Sequence, residues 1–274
     1  MKKYAIRTFI PISAVAAVFG LAASGAHAQT TPVFEYDFPA SWNGTGTTIT
    51  DQSAAGNNGH LDGTLSLDAA PPAAPGGTAS VNTTAGGILT SANSLLNNSA
   101  VSAAGGFTYN LSFMWNGTDS SSFGHTEKLI DYAGTESLQL VTTSGSASLQ
   151  MVFGDDVGGE TTPVSTTVLP STWYSVALTF GNTSMVGSDV AGTASLYVDG
   201  ILVDSAAATK GTYGDSLNRP IGVGQLGANF GYLVGFKGDI YDPSVNLGVV
   251  PEPSTLALGA LGGLGMMWLR RRKS

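Results

Sequence analysis

The 274-residue sequence has no cysteine, so neither a disulfide nor a thiolate metal site can support its fold or its chemistry. Positive charge is also scarce, with 11 lysines and arginines against 19 acids. Seven of those bases sit at the two ends: Lys2, Lys3 and Arg7, then Arg270, Arg271, Arg272 and Lys273. Between Gln29 and Val249 only Lys128, Lys210, Arg219 and Lys237 remain, against 18 acids, a formal charge of −14. Phosphate binding needs clustered lysine and arginine, so this region excludes nucleic acid and anionic lipid headgroups as partners. Histidine and glutamate are sparse there too. His60 and His125 are the only histidines, and Glu35, Glu127, Glu136 and Glu160 the only glutamates.

The two ends read as addresses. Met1–Ala28 has a cationic start, an apolar run from Phe9 to Ala23, and Ala26-His27-Ala28 before Gln29. A charged start, an apolar middle and a small-x-small end make a secretory signal peptide over residues 1–28, cut after Ala28, with Ala26 and Ala28 as the site residues. At the other end, residues 246–255 form a linker containing Pro251-Glu252-Pro253, residues 256–269 are uncharged and apolar, and residues 270–274 form a basic stop. Leu256–Leu269 as a helix spans about 21 Å, short of the roughly 30 Å hydrocarbon core unless it recruits Ser254 and Thr255 and its arginines snorkel. Four terminal cations keep that end cytoplasmic and place everything before Val250 outside.

Pro-Glu-Pro, an apolar segment and an arginine-rich end in that order resemble the PEP-CTERM sorting signal of Gram-negative bacteria. The resemblance implies that Pro251, Glu252 and Pro253 are recognised by an exosortase, a membrane protease-transpeptidase that cuts near them, and that the carrier belongs with exopolysaccharide or biofilm systems. The alternative is a plain C-terminal membrane anchor that is never processed.

Residues 29–245 read as one all-β domain. About 220 residues suffice for a core without disulfides, and abundant Gly, Ser, Thr, Ala and Asn suit many tight turns. Val33–Phe38 alternates, with Phe34, Tyr36 and Phe38 inward. Phe107, Tyr109, Leu111, Phe113 and Trp115 share one strand face. Segments Lys128–Asp131, Ser137–Val141 and Ser148–Phe153 follow as a meander, while Ile88–Ala104 fits either helix or strand. Tyr174, Val176, Leu178 and Phe180 alternate again, and Asp199-Gly200 between apolar runs predicts a type I′ hairpin. Pro71–Gly77 reads as a loop without periodicity.

Several of these pieces look like the laminin G-like (LamG), concanavalin A-like family. They are Asp51-x-Ser53…Gly56-Asn57-Asn58-Gly59 with Leu61-x-Gly63, Phe107-Thr108 leading to Trp115, Trp173–Phe180 followed by Leu196-Tyr197-Val198-Asp199-Gly200, and Ile221–Gly224 leading to Phe236–Ile240. They occur in the family's order over Val33–Pro243. The likeness implies a jelly-roll sandwich of two antiparallel sheets. Gly181–Thr193 departs from it as an overlong connection, and Asp239–Asp242 only approximates a closing strand.

Residues fit for catalysis are few. A retaining glycosidase needs two carboxylates about 5 Å apart. The Glu-x-Asp-x-x-Glu strand of the laminarinase-like branch is absent, and the nearest pair is Glu127 with Asp131. His60 and His125 lie in glycine-rich loops without a Gly-x-Ser-x-Gly elbow. Calcium is the one metal whose chemistry suits the loops, with Asp155-Asp156 and the Asp51–Asp62 loop carrying Asn57 and Asn58 as candidates. Sugar binding calls for aromatic faces, and Trp42, Tyr132, Tyr213, Phe230 and Tyr232 fall near loops, where they either stack on sugars or cap the sandwich.

The reading is an exported, non-enzymatic β-sandwich, passed to the envelope or matrix by its tail, that binds extracellular polysaccharide or serves a structural role; a glycoside hydrolase of the same fold is the alternative. The chain recovered from its native host is expected to begin at Gln29 and to end near Pro253. An intact mass measurement checks both cuts, and a full-length mass contradicts them.

Overall fold

The computed structural model describes residues 30–69, 79–93, 95–117, 125–132, 136–143, 146–154, 160–212, 215, 220–224 and 234–249. The signal segment with Ala26 and Ala28, the Pro71–Gly77 loop, and the tail with Pro251, Glu252, Pro253 and residues 256–269 lie outside the described residues. Among the described residues, no helix is long and apolar enough to cross a membrane.

The first part of the chain supplies β1 (Thr31–Glu35), β2 (Thr48–Ile49), β3 (Gly59–Ala69), β4 (Ala79–Asn93), the short helix α1 (Asn98–Ala104) and β5 (Gly106–Trp115). A meander follows: β6 (His125–Tyr132), β7 (Glu136–Thr143), β8 (Ser146–Gly154) and β9 (Glu160–Val168). Then come β10 (Trp173–Val186), β11 (Asp189–Val198), β12 (Ile201–Lys210), β13 (Pro220–Val223), β14 (Val234–Gly235) and β15 (Gly238–Leu247). The backbone ladder runs β12-β11-β10-β5-β15-β4-β13-β6-β7-β8-β9, with β1 added to β15, β3 beside β4, β2 beside β3, and β14 beside β6. Only the β14–β6 pairing is parallel among those described.

One sheet of this length cannot stay flat, because each strand twists relative to the last. It folds over so that β5 and β10 face β8. Phe153 of β8 packs at a tilt against Phe180 of β10, with centroids 4.9 Å apart, and against Phe107 of β5 at 6.4 Å. The result is an almost closed antiparallel β-sandwich. The end strands β9 and β12 approach each other, and the Ser165 N–H donates to the Asp204 carboxylate across the gap at 2.9 Å. A cavity of about 430 Å³ lies along this seam between Phe153, Pro163, Asp189, Gly192 and Ala208.

Alternation produces the core as read from the sequence. Phe107, Tyr109, Leu111, Phe113 and Trp115 are all buried, as are Val176, Leu178 and Phe180. Phe34, Tyr36 and Phe38 are buried as well, although β1 stops at Glu35. A register shift between Pro32 and Phe34 also turns Val33 inward. Asp199 (φ +53°) and Gly200 (φ +75°) form the expected hairpin turn between β11 and β12.

Two expectations change. Gly181–Thr193 is not a long connection. Strand β10 continues past a bulge at Gly181–Ser184 to Val186, turns at Gly187-Ser188 and returns as β11. Asp239–Asp242 opens a ten-residue strand, β15, that lies in the middle of the sheet between β5 and β4. Within the ambiguous stretch, β4 ends at Asn93 and Asn97 caps α1 by accepting the Ala100 N–H. Leu95 and Leu96 occupy the turn between them.

Truncating the ring that joins the two halves, Phe153→Ala, is expected to cost about 3–5 kcal/mol. Urea unfolding reads this as a lower midpoint at an unchanged m-value.

Candidate functional site

Alternation that sends Leu178, Phe180, Ala194 and Leu196 inward must send their neighbours outward. Register places Ala177 opposite Tyr197, Thr179 opposite Ser195, and Gly181 opposite Thr193, so the outward residues form one patch across β10 and β11. The bulge adds Asn182, held at φ +55°, and Thr183. Ala104 and Gly105, at the end of α1, and Val249 wall the patch into a groove of about 490 Å³. Gly181 makes that wall possible: a Cβ there would lie 2.6 Å from Val249 Cγ2. Thr179, Thr183, Thr193 and Ser195 bring hydroxyls, Asn182 an amide and Tyr197 a half-buried ring. The Thr183 hydroxyl is buried without a hydrogen-bond partner. No charged side chain is among the described lining residues. The described lining therefore offers hydrogen-bonding groups but no fixed charge.

The residues singled out from sequence fall elsewhere. Glu127 and Asp131, the nearest approach to a glycosidase pair, are both buried on β6. Glu127 accepts the Lys237 N–H at 3.0 Å, and Asp131 lies 3.6 Å from Lys128 Nζ. Buried in this way, they face neither a substrate nor the water that hydrolysis consumes. Trp42 is a core residue whose indole donates to the Gly46 carbonyl, and Tyr132 is fully buried, so both belong to the packing side of the alternative. His60 is an exposed residue of β3, and His125 opens β6; neither is in a loop. Tyr213, Phe230, Tyr232, Asp155 and Asp156 lie outside the described residues.

The Asp51 loop does not suit calcium. The Asp51 carboxylate accepts the N–H groups of Glu35, Ser53 and Asn57 at 2.7–2.9 Å, and Asn58 Oδ1 accepts the Asp51 N–H. The Asn57 side-chain amide donates to Val33 O, and the Asn57 backbone carbonyl accepts the Tyr36 hydroxyl. The Asp51 and Asn58 side-chain oxygens are thus committed to backbone amides, and the Asn57 backbone oxygen to a phenol. No group of three or more acidic or histidine side chains that could hold a metal occurs among the described residues.

Sequence reasoning missed a buried ionic core. Two of the four bases of residues 29–249 are wholly inside. Lys128 Nζ donates to Ser137 Oγ and Gln139 Oε1, both at 2.6 Å. Lys210 Nζ donates to Asn98 Oδ1 and Asp215 Oδ1, both at 2.8 Å, and lies 3.5 Å from Glu136. Burial, reinforced by Glu136 and Asp131, raises the Tyr109 hydroxyl far above its ordinary range. The only sequence signal was the scarcity of bases.

Comparison with known proteins finds a PEP-CTERM protein-sorting motif over residues 249–273. It marks an exported, membrane-anchored precursor that is sorted to the envelope, and it implies recognition by an exosortase. No curated protein matches the sequence. Among solved structures, the fold is similar to the binding domain of Paraclostridial Mosquitocidal Protein 1, at 13% identity and a TM-score of 0.52 over 81% of this chain and 50% of that one. It is equally similar to the binding domain of Botulinum Neurotoxin DC in complex with SialylT, at 13% identity and 0.52 over 81% and 49%. The chain thus spans about half the length of these two structures.

Two acids on β15 titrate out of their ordinary range. Burial, with Asp37 and Glu35 adding repulsion, pushes the Asp242 carboxyl up to about 6. Burial also pushes Asp239 up to about 6, against a hydrogen bond from Asn82 and with Asp68 adding to the rise. The folded protein therefore holds protons between about pH 4 and 6 that the unfolded chain releases. This contribution is full below about pH 4 and is lost as pH rises through 6. The thermal midpoint is expected to fall from pH 5 to pH 7, and Asp242→Asn, which tolerates the positive φ, to reduce that fall. Calorimetry across this range checks it.

Proposed function

We propose that this exported, tail-sorted chain is a non-enzymatic binding module that holds an extracellular polysaccharide in the groove across β10 and β11. The observation that carries the reading is the groove's lining of hydroxyls from Thr179, Thr193 and Ser195, with the Asn182 amide and the Tyr197 ring and without a charged side chain. Sugar hydroxyls pair with such groups, and a sugar's apolar face stacks on an aromatic ring. An acidic protein also repels anionic matrix polymers, which leaves neutral glycans as the matched class.

The same reading takes the domain as a laminin G-like, concanavalin A-like jelly roll. It takes cleavage after Ala28 as the maturation step, residues 256–269 as the membrane segment held before processing, and Pro251–Pro253 as the exosortase contact. The mature protein then belongs to the cell envelope or an exopolysaccharide matrix.

Binding to a neutral-glycan array, weakened about tenfold or more by Tyr197→Ala, is expected, a loss of about 1.4 kcal/mol. An empty array with unchanged circular dichroism supports a structural matrix role instead. Release of reducing sugar from β-glucans that Glu127→Gln abolishes supports the hydrolase.

A further inference from the structure

We propose that Lys210 and Asn98 are joined by an intramolecular isopeptide bond that the folded domain forms by itself. The proposal is independent of the groove and its ligand.

Lys210 is the last residue of β12, and Asn98 is the first residue of α1; 112 positions separate them in sequence. Folding brings Nζ to 2.8 Å from Asn98 Oδ1, and the amide carbon lies one C=O bond behind that oxygen. The carboxamide cannot rotate away. Its Nδ2 donates to Ser188 O at 2.8 Å, and the Asn98 N–H donates to Asp215 Oδ2 at 2.6 Å. Glu136, fully buried, stands 3.5 Å from Nζ, and the Tyr132 ring lies 5.6 Å from it. Nucleophile, acyl group and carboxylate are thus held together in a site closed to water, where oriented groups react as if at molarities of about 10⁵ M or more.

The step balances without an external reagent. Glu136 takes a proton from the Lys210 ammonium, and the free amine attacks Asn98 Cγ. A C–N bond forms, and Glu136 returns the proton to Nδ2. The old C–N bond breaks, and ammonia leaves with the second proton as ammonium. One amide replaces another, nothing is oxidised or reduced, and the positive charge of Lys210 departs with the leaving group. Exclusion of water protects the product from hydrolysis.

Asp215 is the positioning residue, since one of its oxygens accepts from Nζ and the other from the Asn98 N–H. As an anion and the more exposed partner, with its side chain 18% accessible, it is the poorer acyl group. Lys128 also meets a carboxamide, Gln139, but shares that oxygen with Ser137 and joins residues already registered on neighbouring strands. The bond is therefore assigned to Lys210.

The test is tryptic peptide mapping of the full chain purified after export. Three results are expected together: no cleavage after Lys210, a branched peptide containing Asn98 and Lys210 that is lighter than its parts by one ammonia, and fragment ions that place the link at those residues. Glu136→Gln, nearly isosteric, is expected to give the unlinked peptides. The wild-type map decides even if that variant fails to fold. Normal cleavage after Lys210 overturns the proposal. So does a link to Asp215 with loss of water, or an ammonia loss confined to Lys128 and Gln139.

Discussion

The contact of Phe153 with Phe107 and Phe180 holds a single long sheet against itself. Without cysteine, no disulfide can close the sandwich, and this aromatic contact joins β8 to β5 and β10. The outer features follow from it. Because Phe180 and Leu178 must point in, Thr179 and Gly181 point out, and the same rule applied to β11 exposes Thr193, Ser195 and Tyr197. The groove is the reverse side of the core, produced by the same alternation.

Electrostatics divides along the same surface. Glu35, Asp62, Asp68 and Asp199 lie outside, where water and ions screen them, while two lysines are drawn in with Asp131, Glu136 and Gln139. Buried ions cost desolvation free energy, which only close partners recover. Lys210 meets that condition with Asn98, Asp215 and Glu136 at 3.5 Å or less. Asp239, buried, and Asp242, half-buried, have no cation among the partners named above; they answer differently and hold their protons longer.

Legibility from sequence tracked how local each signal was. Strand β5 and the β11–β12 turn were readable because alternation and Asp-Gly turn chemistry act between neighbours. The extension of β10 was not, since Gly181-Asn182-Thr183-Ser184 has turn composition, yet the chain carries it as a bulge inside a hairpin. Strand β15 was half-read because Asp239 and Asp242 look like surface residues, although the strand is central. The groove could not be read, because it depends on the register that sets Thr179 beside Ser195. Neither could the lysine cluster, which joins residues more than a hundred positions apart. The loop aromatics misled for a related reason: Trp42 lies outside any strand and still packs inward.

The pairing of Thr31 with Leu247 has a mechanical consequence. The sorting motif begins at residue 249, two residues past the end of β15, and β15 is flanked by β5 on one side and by β4 and β1 on the other. A pull on the end of β15 along its own axis would shear that ladder as a whole rather than peel it rung by rung.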